Sequence, residues 1–412
     1  MPTRRSFLRQ SGLALLGSSL LPSFLTRAAW AAQDGGVASR YGSDTILVVI
    51  QMQGGNDGLN TVVPYGYDGY YTARPNLAIK EADVLPLTDT IGLHPEMGKL
   101  AERYDTGQVA IVQGVGYPGQ TLSHFSATDV WLTGLPGGTN QNSGWLANYL
   151  ASTNADELNP IFAASVTPGL SRALYGPGAT VPAVSSLQAY QYRTDPRYAS
   201  FRPVELAYVN TLYSMSYANP TLAHIARTGA NAIASSERVQ AAADAYTGAV
   251  EYPQFGLANS LKTVAQLIAA NLGTRLYYVQ ISGFDTHSAE AATHARLLNG
   301  FSESVDAFLR DVETLGKRDQ VLLMAWSEFG RRVNQNGSLG SDHGTAGPMF
   351  VIGSRVRGGL YGDQPSLLDL DANRNLKWGV DFRAVYGTVL DNWVGADQGA
   401  VLGSRFENVG FV

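Results

Sequence analysis

There is no cysteine in the 412 residues, so neither disulfides nor thiolate metal ligands are available. Any metal site must be built from Asp, Glu, His, Asn and backbone oxygen, donors that suit hard or borderline cations. Charge is sparse as well. Asp, Glu, Lys and Arg make up 15% of the chain, against about a quarter in ordinary globular proteins. The formal net charge is −5 and no basic run occurs, which argues against nucleic acid as a partner. No heptads, no internal repeat and no long apolar span follow the first thirty residues. Glycine, by contrast, is abundant at 45 residues, and apolar residues reach 45%. That combination points to many loops and a weakly charged surface around a normal core, not to disorder.

The amino-terminal stretch reads as a targeting segment. Arg4-Arg5 is followed by Ser6-Phe7-Leu8, an apolar stretch of about 15 residues, then Ala29-Trp30-Ala31, which fits a small-x-small cleavage site. Gly17, Ser18, Ser19 and Pro22 interrupt the apolar stretch, which is too short to span a bilayer comfortably. The paired arginines resemble a twin-arginine export signal, a route for proteins that fold before crossing. The expectation is a signal peptide over 1–31, export by the twin-arginine machinery, no stable membrane span, and a mature periplasmic or secreted protein.

Residues 32–412 read as a single α/β domain. Apolar runs of strand length (45–52, 108–115, 275–282, 321–327 and 349–354) are separated by stretches of helical period. Residues 257–272 and 294–316 each place an apolar stripe on one helical face, and 381–395 predicts a closing helix. Near-continuous apolar strands alternating with helices predict a three-layer sandwich with a mostly parallel central sheet. In such sheets ligands bind at the carboxyl ends of the strands. The stretch from about 135 to 252 is rich in Tyr, Ser, Pro and Ala and reads as an inserted cap, partly helical over 203–216.

The polar residues at strand ends carry the chemistry. Asp57 in "GGNDGLN" follows the first strand, and Asp285 and His287 in "GFDTHS" follow 275–282. Glu328 in "SEFGRR" follows 321–327, with Arg331 and Arg332 just beyond, while Asp342-His343 precede the last strand. Each has a plainer alternative. Asp57 fits a turn, Asp285 a helix N-cap, and Glu328 an ion pair with a nearby arginine. In "GQTLSHFSATDVWLTG" a helix start places Thr121 or Ser123 where free N–H groups and the dipole favour an anion. Such a hydroxyl is either a cap or a nucleophile activated by metal. His224 and His294 read as surface or cap residues within helices, and His94 as a loop residue before Pro95.

The order of these motifs resembles the alkaline phosphatase and sulfatase superfamily. More closely, "GGNDGLNTVVPY", Arg74-Pro75, Leu93-His94-Pro95, "SHFSATDVWLTG", "GFDTHS", "SEFGRR" and "DHG" resemble the exported bacterial family labelled domain of unknown function 1501. The resemblance covers nearly the whole mature chain and implies an alkaline phosphatase-like fold. It also implies one or two divalent metal ions (Mg, Mn, Ca or Zn). Asp57 and Glu328 would bind one, and Asp285, His287 and His343 the other, with Asp342 in support. Ser123, or else Thr121, would be the nucleophile, and Arg331 would clamp the anion. Where the superfamily commonly has Asp-His, this chain has Glu328-Phe329, leaving an oxygen-rich first site better suited to Mg, Mn or Ca than to Zn.

Two functions follow as expectations. One is a hydrolase of phosphate or sulfate esters, acting on a small-molecule or polysaccharide substrate. The other is an extracytoplasmic binding or polymer-processing accessory protein that keeps a structural metal. A glycoside hydrolase using Asp57 and Asp285 as its acid–base pair ranks below both.

Overall fold

The apolar run after Thr45 is an interior strand, β1 (Ile46–Gln53), whose first seven residues are buried. The computed structural model describes residues 44–135, 143–153, 159, 161–177, 179–188, 190 and 196–412. The signal segment expected over 1–31 lies outside these. Around β1 the sheet comprises β2 (Val109–Gly116), β3 (Ala163–Ser165), β4 (Leu276–Ser282) and β5 (Val321–Trp326). A hairpin, β6 (Arg331–Gln335) and β7 (Ser341–His343), lies apart from it, and β8 (Gly347–Ile352) and β9 (Gly359–Tyr361) return to it. The spatial order is β9-β2-β8-β5-β1-β4-β3, with Val380–Asp381 pairing beside β2.

β1 runs parallel to both β4 and β5, β3 parallel to β4, and β9 parallel to β2. β8 alone among the main-sheet strands runs against its neighbours, β2 and β5. That reversal matters for the site. An antiparallel strand starts at the edge where parallel strands end, so the chain entering β8 brings Asp342-His343 to the carboxyl ends of β1, β4 and β5.

Alternate residues of β1 feed two cores, as period-two side-chain geometry requires. Val48, Ile50 and Met52 join the core that includes Leu100 of α1 (Gly98–Asp105), Leu261 of α6 (Gly256–Ala269) and Phe301 of α7 (Glu290–Thr314). Leu47 and Val49 face the other core, with Trp131 of α2 (His124–Thr133), Trp145 of α3 (Trp145–Thr153) and Tyr386 of α8 (Phe382–Val389). The molecule is therefore a three-layer α/β/α sandwich with a mostly parallel sheet, as the alternation of strands and helices predicts.

The stretch from about 135 to 252 is more integrated than its composition suggests. β3 pairs with β4 at the end of the sheet, and α3 contributes Trp145 and Leu150 to a core. Beyond them, α4 (Arg202–Ser214) buries no residue, and the 26-residue α5 (Pro220–Ala245) packs beside it. Among the described residues no helix is long and apolar enough to cross a membrane.

Candidate metal centre

Three loops leave the adjacent ends of β1, β4 and β5 and pack so closely that side chains are excluded at their contacts. Gly54 has φ +121°, and a Cβ there would stand 2.5 Å from the Asp285 nitrogen; at Gly55, φ +74°, it would stand 2.4 Å from the Phe329 ring. The double glycine is thus a packing requirement before it is anything else.

Arg331 staples the same loops from below. Its buried guanidinium donates to the carbonyls of Gly55 (2.6 Å), Gly54 (2.6 Å), Phe284 (2.9 Å) and Ser341 (2.7 Å), and to Asp285 Oδ1 (2.9 Å). With its N–H groups committed inward, it is placed to position Asp285, not to clamp an anion at the open face.

Above the staple, Asp285 meets three imidazoles. Its Oδ1 lies 3.0 Å from His343 Nε2 and 3.1 Å from His287 Nε2, and its Oδ2 lies 3.4 Å from His124 Nε2. The Nε2 atoms of His287 and His343 are 2.9 Å apart. Each ring is anchored through its other nitrogen. His124 Nδ1 meets Glu328 Oε1 at 2.8 Å, His287 Nδ1 meets Asp342 Oδ1 at 3.1 Å, and His343 Nδ1 meets the Leu122 carbonyl at 2.9 Å. Carbonyls and ionised carboxylates only accept, so each Nδ1 carries a proton; a neutral ring then has its lone pair on Nε2, and a protonated one donates to Asp285 from there. The ligand atoms of His124, Asp285 and His343 lie within 4.8 Å of one another, and His287 Nε2 adjoins the latter two; lone pairs and a carboxylate gathered this closely repel unless a proton or a cation sits among them.

The residues fit a divalent cation. Buried His124 Nε2 has no hydrogen-bond partner. Ligands in a tetrahedron about Zn, with bonds near 2.0–2.1 Å, stand about 3.3 Å apart; the three Asp285–imidazole separations and the His287–His343 separation run from 2.9 to 3.4 Å, and the ligand atoms of His124, Asp285 and His343 all lie within 4.8 Å of one another. Rings oriented by carboxylates and backbone carbonyls are the outer-shell pattern of metal-binding histidines. Phe329 packs under the rings, with centroids 4.9 Å from His124 and 4.6 Å from His343.

The electrostatics agree. Burial opposes ionisation of Asp285, but the bonds from His343 and Arg331 outweigh it and hold the carboxyl down at about 2. The hydrogen bond to Glu328 raises His124 despite its partial burial. Burial lowers His343, which the bond to Asp285 only partly offsets.

The structure brings together Asp285, His287, Asp342 and His343 as one cluster, with Glu328 reaching it through His124. Glu328 is fully buried, and its Oε1 also accepts from the Gly54 N–H at 2.9 Å. Asp57 stands apart. Both its oxygens are bound by Arg74, one at 2.9 Å and the other in a very short contact, and both side chains are fully buried. Burial disfavours the Asp57 anion, yet the Arg74 charge holds its pKa far below the usual carboxylate value. Ser123 is the exposed N-cap residue of α2, and its hydroxyl caps nothing; Thr121 Oγ1 accepts from the Ser123 N–H at 3.3 Å.

His124 is the residue that sequence reasoning left without a role. The available signal was its place directly after Ser123, at the first turn of a helix that follows a strand. His294 reverses the expectation of a surface position. It is 1% exposed, and its Nε2 meets Asn56 Oδ1 at 2.9 Å. His94 is also buried, and its Nδ1 accepts from the Glu96 N–H at 3.1 Å.

A family model described as "Protein of unknown function (DUF1501)" matches residues 44–404. None of the curated proteins compared matches in sequence. Three solved structures are similar at low overlap. The C-terminal periplasmic domain of EcEptC from Escherichia coli, in complex with Zn, is 11% identical at TM-score 0.38, covering 76% of this chain and 74% of that one. The lipoteichoic acid synthase LtaP from Listeria monocytogenes is 9% identical at TM-score 0.38, covering 88% and 77%. The PsFucS1 sulfatase from Pseudoalteromonas sp. is 12% identical at TM-score 0.38, covering 95% and 75%.

Proposed function

The chain belongs to the DUF1501 family, and from that premise we propose that it is an exported, metal-dependent hydrolase of phosphate or sulfate esters. One observation carries the reading: three imidazoles, each anchored through Nδ1, turn their Nε2 atoms on Asp285. His124, Asp285, His287 and His343 would hold a single borderline cation such as Zn, with Glu328 and Asp342 orienting two of the rings. Asp57 is left out of the ligand set, because Arg74 already occupies both its oxygens. A bound divalent cation supplies a lowered pKa for an attacking hydroxyl or water and neutralises charge on the transferring group.

The chain supplies the rest. Ser123 lies between Leu122, whose carbonyl anchors His343, and His124 itself, so its hydroxyl is carried by the segment that builds the centre. Because that hydroxyl does not cap α2, first-turn N–H groups stay open to an anionic ester. Thr121 is the weaker candidate, since its oxygen is engaged by the Ser123 N–H. His287 and Asp285 are 45% and 49% exposed, so a polysaccharide ester fits this face as readily as a small one. The test is hydrolysis by the purified protein, loaded with Zn or Mn, of phosphomonoester, phosphodiester and sulfate ester panels. Release from at least one class, lost in His124→Ala, is expected; no release from any would overturn the proposal.

Counting His287 as a fourth ligand beside His124, Asp285 and His343 favours a second reading. A filled tetrahedron is the mark of structural zinc, whereas catalytic zinc keeps an open position. On that reading the protein is a metal-stabilised extracytoplasmic binder. Co(II) substitution separates the two: a spectrum that shifts on adding inorganic phosphate means an open position, and an unmoved four-coordinate spectrum means a closed site.

A further inference from the structure

Away from the metal centre, a cavity of about 300 Å³ opens between residues 170–177, 179–182 and Tyr190 on one side and α5 on the other. Its volume is at the lower end of small-molecule sites. Tyr175 and Tyr190 contribute aromatic walls, and Thr180, Thr228, Asn231 and Ser235 contribute hydroxyl and amide groups.

The lining chemistry narrows the ligand. Among the described lining residues none is Asp, Glu, Lys or Arg, and His224 is the one imidazole, so these residues offer an ionic ligand no carboxylate, ammonium or guanidinium to replace its hydration. A purely apolar ligand would strand the hydroxyl and amide groups, which lose water on burial. An uncharged ring carrying hydroxyls satisfies both surfaces. Its C–H face, slightly positive, packs on the negative face of an aromatic ring, while its hydroxyls meet the polar groups.

The polar groups are also held in place. Asn231 Nδ2 donates to Thr180 Oγ1 at 3.1 Å, joining α5 to the loop, and the Tyr190 hydroxyl meets Ser235 Oγ at 2.7 Å. Both pairs tie described residues of the loop side, Thr180 and Tyr190, to α5, so these polar groups are positioned before any ligand arrives. Tyr175, 57% exposed, stays free to close over an occupant.

We propose that this cavity binds a neutral carbohydrate ring. The site stands independently of the metal centre, and its chemistry requires no cation.

Saturation-transfer difference NMR on the purified protein tests it, using neutral oligosaccharides of glucose, galactose and N-acetylglucosamine with palmitate as the apolar comparison. At least one sugar is expected to show ring-proton transfer, weakened about tenfold in Asn231→Ala, which removes one polar partner, and reduced in Tyr175→Ala. Tyr175 is exposed enough that its truncation leaves the fold intact, so that variant stays informative if Asn231→Ala misfolds. Transfer persisting in EDTA separates this site from the metal centre. No transfer from any sugar, transfer unchanged in both variants, or binding of palmitate alone would overturn the proposal.

Discussion

Asp57 and Arg74 form a closed ion pair at the back of the strand-end loops, each side chain fully buried. The guanidinium also reaches Asn60 Oδ1 at 2.9 Å and the carbonyls of Val333 and Arg332 at 2.9 and 2.8 Å. Glu290 borders the pair, and burial together with the Asp57 charge raises its pKa well above the usual value. A carboxylate satisfied this completely serves the architecture. Asp57→Ala should therefore strand a buried cation and destabilise the protein by about 3–5 kcal/mol. Thermal unfolding with metal analysis checks it: a large fall in midpoint with metal stoichiometry retained is expected, and metal loss without destabilisation would restore Asp57 to the ligand set.

Glu328 would act on a bound cation through a ring. Its Oε1 holds His124 Nδ1 at 2.8 Å, so Glu328→Gln should lower metal affinity about 10–100-fold, the usual cost of losing an outer-shell partner. His124→Ala should cost more, because it removes a donor outright. Competition titration against a chromophoric chelator measures both. Equal effects would make Glu328 a ligand in its own right.

These residues differ in how plainly the sequence announces them. The strands β1, β4, β5 and β8 are visible as apolar runs because both faces of a covered sheet are buried. Asp285, His287, Glu328, Asp342 and His343 follow from the rule that sites form at strand ends. Asp57 obeys that rule too, and the rule cannot see Arg74, which arrives from a short helix 17 residues on and decides what the carboxylate does. His294 was legible: it lies on the apolar face of its helix, three, four and seven residues before the buried Leu297, Leu298 and Phe301. Arg331 was legible only as a charge near Glu328. Its five acceptors come from two loops and the hairpin strand β7, a convergence no local pattern encodes.

Arg331→Lys tests that convergence. A lysine carries three donors on a flexible stem and cannot reproduce a planar fork shared among five acceptors. Several buried carbonyls would lose their partners, at about 1–3 kcal/mol each. The expected result is a lower unfolding midpoint together with weakened metal binding, since Asp285 loses its 2.9 Å anchor. A variant with wild-type stability and metal affinity, impaired only in turnover, would instead put Arg331 in contact with substrate.

Acid should unfold the protein partly through two histidines outside the cluster. Burial pushes His294 down to about 3 and His94 down to about 4, in each case against the nearby Asp57 charge. Both are neutral in the fold, while unfolded histidine titrates near 6.5. Their contribution is fully present above pH 6.5 and is lost as pH falls toward 4, because the unfolded chain then binds more protons. Each group adds up to about 1.4 kcal/mol per pH unit to the slope. Asp285 adds a separate loss lower down, below about pH 4, where the unfolded carboxyl protonates while the folded one, held at about 2, stays ionised. Urea midpoints of the metal-free protein from pH 7 to 4.5 should fall steadily. His294→Gln, which keeps an amide donor for Asn56, should remove its share of the slope. A profile identical to that of the parent protein would mean that His294 takes up its proton in the fold as readily as in the unfolded chain.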